Sequence, residues 1–144
     1  MESPVENTWN TVENSNVASA LSWQAQRQPS ATAIHYPKTG KFGKEKYLSC
    51  SYRELDELSN AYARGLQAYG IGHGTRTALM LTPGLDFFAV VFALFKAGAV
   101  PVLIDPGIGM KPLKACLAEA APKAFIGVTK AHFARKILGW AKQS

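Results

Sequence analysis

Three histidines, two cysteines and ten acidic residues are the side chains here with the chemistry for metal ligation, nucleophilic attack or proton transfer. They do not converge. His35, His73 and His132 lie far apart, and none has a Cys, Asp or Glu at metal-ligand spacing. Cys50 and Cys116 can neither build a disulfide framework nor supply a four-thiolate site. Cys116 shares a helical repeat with Leu113, Leu117 and Ala120 and reads as a small core residue. Asp56 and Glu57 read as exposed helix charges, not as an acid–base pair. No nucleophile, base and orienting group assemble from the pattern, so it assigns no catalytic, cofactor-binding or metal-binding residue.

Glycine spacing offers the other route to chemistry. Gly70-Ile71-Gly72-His73-Gly74 leads into an apolar run, whereas a phosphate-cradling loop leaves a strand and enters a helix. It reads as a helix stop and turn. Pro106-Gly107-Ile108-Gly109 is better placed, with Lys111 following, but lacks a third glycine and the Gly-Lys-Ser/Thr ending of a P-loop. A plain connection is the reading there, and an anion site the alternative. Thr82-Pro83-Gly84 sits at the end of a strand-like run, where open α/β sheets place ligands.

Charge is uneven. The net charge is +6, and residues 111–144 hold seven Lys or Arg against one acid. A protein wrapping nucleic acid would not concentrate its charge in that way, so no nucleic-acid partner is expected. In residues 130–142, Phe133, Ile137 and Trp140 share one helical face, while Lys130, Arg135 and Lys136 lie elsewhere. Such a helix packs its apolar face on a sheet; the alternative is peripheral contact with an anionic membrane.

The elements that must carry these residues follow from periodicity. Residues 1–15 are polar and aperiodic and read as a flexible tail, with Trp9 as an anchor. Val17, Ala18, Leu21 and Ala25 predict a helix ending before Pro29. Residues 31–36 and 47–50 read as strands of a short hairpin joined by a polar, Gly-containing loop over 37–46. Ser51-Tyr52-Arg53-Glu54 is a capping box. Behind it Leu55, Leu58, Tyr62, Leu66 and Tyr69 predict one buried helix face, and Gly70 a left-handed stop with Ile71 folding back. Strands over 77–81, 100–104 and 124–128 then alternate with helices over 85–97, 111–120 and 131–141. Continuously apolar strands with helical crossovers predict an α/β fold, a doubly wound, open parallel sheet.

The apolar window 87–104 holds a single charge, Lys96, near its middle, and Gly98 and Pro101 punctuate it. A charge there would cost roughly 2.5–3.5 kcal/mol in a bilayer. A buried helix followed by a buried strand is expected. The N-terminus lacks the basic start and apolar stretch of a signal peptide, and a soluble, cytoplasmic protein is expected.

Two strings become informative together. Ser51-Tyr52-Arg53-Glu54-Leu55-Asp56-Glu57-Leu58-Ser59-Asn60, continuing to Ala63-Arg64-Gly65-Leu66, resembles the first core motif of the adenylate-forming enzymes. Those are the acyl-CoA synthetases, peptide-synthetase adenylation domains and luciferases. Leu94-Phe95-Lys96-Ala97-Gly98-Ala99-Val100-Pro101-Val102-Leu103-Ile104-Asp105-Pro106 is similar to their second core motif, and residues 70–79 to the turn between. The likeness covers about residues 17–128. Residues 105–109, with 113–117 and 125–127, resemble fatty-acid-directed members, notably the β-lactone-forming branch of bacterial olefin biosynthesis.

The resemblance implies that residues 16–144 are a partial N-terminal subdomain of an AMP-binding ligase. It implies ATP and Mg2+ as cofactors, and a fatty acyl substrate, for the whole enzyme. The family's Gly/Thr-rich phosphate loop, its adenine- and ribose-holding positions and its lid lysine have no counterpart between Met1 and Ser144. The segment alone is therefore expected to be inactive and to bind no cofactor. Self-association through an exposed sheet edge, or through the face left open for the missing subdomain, is a further expectation. The rival reading is a free-standing binding or assembly module that docks through the basic C-terminal helix.

Overall fold

The computed structural model describes residues 16–39 and 45–129. Helix α1 (Ala18–Arg27) leads into an antiparallel hairpin of β1 (Thr32–Thr39) and β2 (Glu45–Ser51), and then into α2 (Tyr52–Ala68). Next come β3 (Arg76–Met80), α3 (Leu85–Lys96), β4 (Val100–Leu103), a 3-10 turn (Pro106–Ile108), α4 (Met110–Ala120) and β5 (Ala124–Gly127). Strands β3, β4 and β5 form a parallel sheet in the order β4-β3-β5.

The predicted loop over 37–46 is shorter than expected. Pairing continues through Pro37 opposite Tyr47 and Lys38 opposite Lys46 to Thr39 opposite Glu45. Proline has no ladder donor, but both strands of a two-stranded hairpin are edges, so its nitrogen can face away from the partner.

Two glycines set the helix ends. At the end of α2, Gly70 takes φ +80°, its amide donates to the Gln67 carbonyl, and the Ile71 amide donates to Leu66. At the end of α3, Gly98 takes φ +72°, its amide donates to Phe95, and the Ala99 amide donates to Leu94. Both are Schellman closures that satisfy carbonyls a helix end would otherwise leave open.

The sheet is covered on both faces. Leu113 and Leu117 of α4 pack with Ala78 on one side. Leu94, Ala99 and the half-buried Leu66 and Ile71 pack with Leu79 on the other. Central strand β3 is accordingly apolar on both sides. A third cluster, Leu21, Cys50, Leu55 and Ala89, joins the hairpin to α1, α2 and α3. Leu55, Leu79 and Leu94 are fully buried, each worth roughly 1.5–3 kcal/mol. The apolar window 87–104 is helix, glycine turn and strand, but the expected burial of the strand is corrected: β4 is an edge strand among the described residues, with Val100 46% and Leu103 58% exposed. Among the described residues no helix is long and apolar enough to cross a membrane.

Two further expectations are corrected. Tyr69 is 89% exposed, because it lies at the C-cap of α2, where the helix face turns away from the core. The fully buried stripe of α2 is Leu55, Ser59 and Ala63, with Leu58, Tyr62 and Leu66 half-buried beside it. Cys116 is exposed: Leu113 and Leu117 define the buried line of α4, and Cys116 falls outside it. The predicted tail 1–15 and helix 131–141, with His132, lie outside the described residues.

Candidate functional site

The two informative strings meet in space. The first supplies α2, the second the end of α3 together with β4. Their junction is polar. The Lys96 ammonium donates to Asp56 Oδ1 at 2.7 Å, to the Asp56 carbonyl at 3.1 Å and to Asn60 Oδ1 at 2.8 Å. Asp56 Oδ1 also accepts from the Ser22 hydroxyl of α1 at 2.7 Å, and Oδ2 from the Asn60 amide at 3.3 Å. Asp56 is thus no free surface charge, which corrects the sequence reading. The side chains of Lys96 and Asp56 are only 11% and 18% exposed. Burial pushes the Asp56 carboxyl up. The Lys96 and Ser22 hydrogen bonds, the Lys96 charge and Asn60 outweigh it, so the net shift is down. All three Lys96 donors have acceptors, which leaves the ammonium saturated rather than poised for a ligand.

Local sequence explains how these groups are held. The capping box starts α2: the Glu54 amide donates to Ser51 Oγ at 3.3 Å, and the Ser51 amide donates to Glu54 Oε2 at 2.8 Å. The Ser51 amide and then its hydroxyl pull the Glu54 carboxyl below its ordinary range. Asn16 fixes the entry of α1, donating through Nδ2 to the Phe95 carbonyl at 2.6 Å and accepting from the Ala18 amide at 3.0 Å.

The loop with the anion-site alternative reads differently in three dimensions. Asp105 Oδ1 accepts the Gly107 amide at 2.8 Å. An amide that an anion would need is already occupied by a carboxylate, whose charge also repels phosphate. The turn is only three residues long, and the plain connection is what its geometry supports.

The other potentially reactive groups stay apart. His35 and His73 are both exposed, the first on the hairpin and the second against Gly98. Burial, then the nearby Glu54 charge, raises the Cys50 thiol and keeps it neutral. Among the described residues no three His, Cys, Asp or Glu side chains come together.

One concavity is large. An open apolar groove of about 790 Å³ runs between α2, α3 and β5, lined by Tyr62, Leu66, Ile71, Val90, Phe125 and Ile126 among others. At its rim the Tyr62 hydroxyl donates to Asp86 Oδ1 at 3.0 Å. Burial, then that bond and the Asp86 charge, raise the Tyr62 phenol and keep it protonated.

A doubly wound parallel sheet with a capped helix and a polar three-helix junction defines an α/β subdomain. The chain belongs to the AMP-binding enzyme family, whose model matches residues 21–143. The olefin beta-lactone synthetase of Stenotrophomonas maltophilia is 49% identical over 129 residues, covering 88% of this chain and 23% of its own. That of Xanthomonas campestris is 49% identical over 128 residues with the same coverages. The chain spans about a quarter of the length of these curated relatives. Among solved structures, the N-terminal subdomain of Klebsiella oxytoca NpsA, in complex with 3-hydroxybenzoyl-AMSN, superimposes with a TM-score of 0.66 at 23% identity. It covers 78% of this chain and 26% of that one, a likeness of fold.

Proposed function

We propose that residues 16–144 contribute the first α/β subdomain of an ATP-dependent, AMP-forming ligase for a fatty or β-hydroxy fatty acid. The observation that carries this reading is the 49% identity to the Stenotrophomonas olefin beta-lactone synthetase across 129 residues. In the whole enzyme the substrate carboxylate attacks the α-phosphorus of ATP, pyrophosphate leaves, and an acyl-adenylate forms. A β-hydroxyl then attacks the acyl carbon and displaces AMP, closing a β-lactone; a thiol attacking instead gives a thioester. ATP with Mg2+ is the cosubstrate, and the cytoplasm is where the reaction runs. The role of this segment is architectural, and the 144-residue chain makes no acyl-adenylate by itself.

A chimera tests the reading. Residues 16–144 replace the matching stretch of the Stenotrophomonas enzyme, and acyl-AMP formation from ATP and a β-hydroxy fatty acid is followed. Activity within about tenfold of the parent, roughly 1.4 kcal/mol in barrier, supports it. A folded chimera without activity counts against it, as does tight Mg2+-dependent ATP binding by the 144-residue chain alone.

A further inference from the structure

The helices around the Asp56–Lys96 pair meet through small side chains. The buried residues of α2 beyond Leu55 are Ser59 and Ala63, and those of α3 are Ala89, Ala93 and Leu94, the last packed on the sheet with Leu79. On α1 only Ala18 and Leu21 are buried. Surfaces of Ala and Ser interlock shallowly and select a register only weakly. The large side chains whose ridges and grooves ordinarily do so gather toward the hairpin, where Leu21, Leu55, Leu58, Tyr62, Leu85 and Phe92 cluster with Cys50.

The polar network has the opposite character. Its bonds link single atoms on three helices: Ser22 on α1, Asp56 and Asn60 on α2, and Lys96 at the end of α3. Asn16 adds a second tie by donating to the Phe95 carbonyl at the same end of α3. No buried side-chain polar atom among the described residues lacks a partner. Sliding α1 by one turn would break the Ser22 bond and strand the Asn16 amide. Sliding α3 would leave a largely buried ammonium and carboxylate unpaired, a penalty that packing among alanines could not offset.

We propose that the Ser22–Asp56–Asn60–Lys96 network is a register key: it selects the single alignment of α1 and α3 on α2 and adds little net stability. Desolvating two charges offsets much of their attraction, so the network excludes alternatives more than it deepens the native well. Leu21 positions α1 over the hairpin, while Ser22 sets where along α2 it stops.

The test separates alignment from stability in the full chain. In the double variant Asp56→Leu/Lys96→Met the pair becomes apolar at similar volume, and Ser22 and Asn60, both partly exposed, can turn to water. The expected result is a urea midpoint equal to or above the parent's, with hydrogen-exchange protection of the amides of residues 21–27 lowered about tenfold relative to those of α2. Ser22→Ala leaves the ion pair intact and should lower protection in α1 alone. Unchanged α1 protection in either variant would overturn the proposal. So would a double variant that fails to fold, since the pair would then be carrying stability.

Discussion

Lys96 and Asp56, 40 residues apart in the chain, meet at 2.7 Å across α3 and α2. The contact ties the string 51–66 to the string 94–106, so the two segments that carry the family likeness are physically one unit. Each charge is engaged by the other and by neighbours on α1 and α2, so the pair aligns the helices that bear it.

Removing one partner leaves the other charge largely buried. Lys96→Ala should destabilise the fold by about 2–3 kcal/mol, below the range for fully buried pairs because some water still reaches the site. Urea unfolding followed by circular dichroism measures it. A loss below about 0.5 kcal/mol would show that solvent already screens the pair.

The lowered Asp56 carboxyl fixes a direction for acid. The folded state binds this proton less readily than the unfolded state, whose carboxyl titrates near about 3.9. The contribution is therefore fully present above that value and is lost as pH falls through the lower folded one. Asp56→Asn should flatten the loss of stability as pH falls below about 4. Glu54 shifts the same way, so the difference between parent and variant, not the total slope, isolates Asp56. Equal slopes would contradict the assignment.

At the start of α2, Ser51→Ala removes the acceptor for the Glu54 amide and should cost about 1 kcal/mol. Amides of the first turn should exchange faster while those around Ala63 keep their protection relative to global unfolding. Uniform loss throughout α2 would indicate that the cap supports more than the helix end.

The two glycine stops should respond unequally to alanine. Gly70→Ala meets open space and bears only the left-handed backbone cost, about 1–2 kcal/mol. At Gly98 a Cβ would also lie 3.1 Å from His73 Nδ1 and 3.4 Å from His73 Cα. Gly98→Ala should therefore show the larger fall in thermal midpoint, with His73→Ala restoring part of it. Equal shifts would mean that the 72–75 turn yields freely.

Local signals in the sequence were read correctly because their physics is local. The Ser51–Glu54 box, the stops at Gly70 and Gly98 and the alternation of strand and helix each depend on a few adjacent residues. Asp56 was misread because its partner stands on another helix, and no spacing within α2 announces Lys96. Cys116 was misplaced because it lies beside the Leu113–Leu117 line, where a small angular error exchanges core for solvent. Tyr69 continued a spacing that the helix itself did not continue. The strands outlasted the predicted loop because Pro37 and the polar residues after it suggest a turn, while a free edge tolerates both. The groove arises from α2, α3 and β5 together, and its outline is not written in any one of them.

The parallel sheet also bears on the order in which the chain assembles. Every ladder within it joins segments separated by a whole helical crossover, as Thr77 with Pro101 and Thr77 with Ala124. Closing such loops costs entropy before any strand contact repays it. The hairpin pairs segments that are close in sequence, as Thr39 with Glu45, and its last residue, Ser51, caps α2 directly. Nucleation at the hairpin and α2, followed by α3 docking and only then by alignment of β3 with its neighbours, is the sequence of events this topology favours.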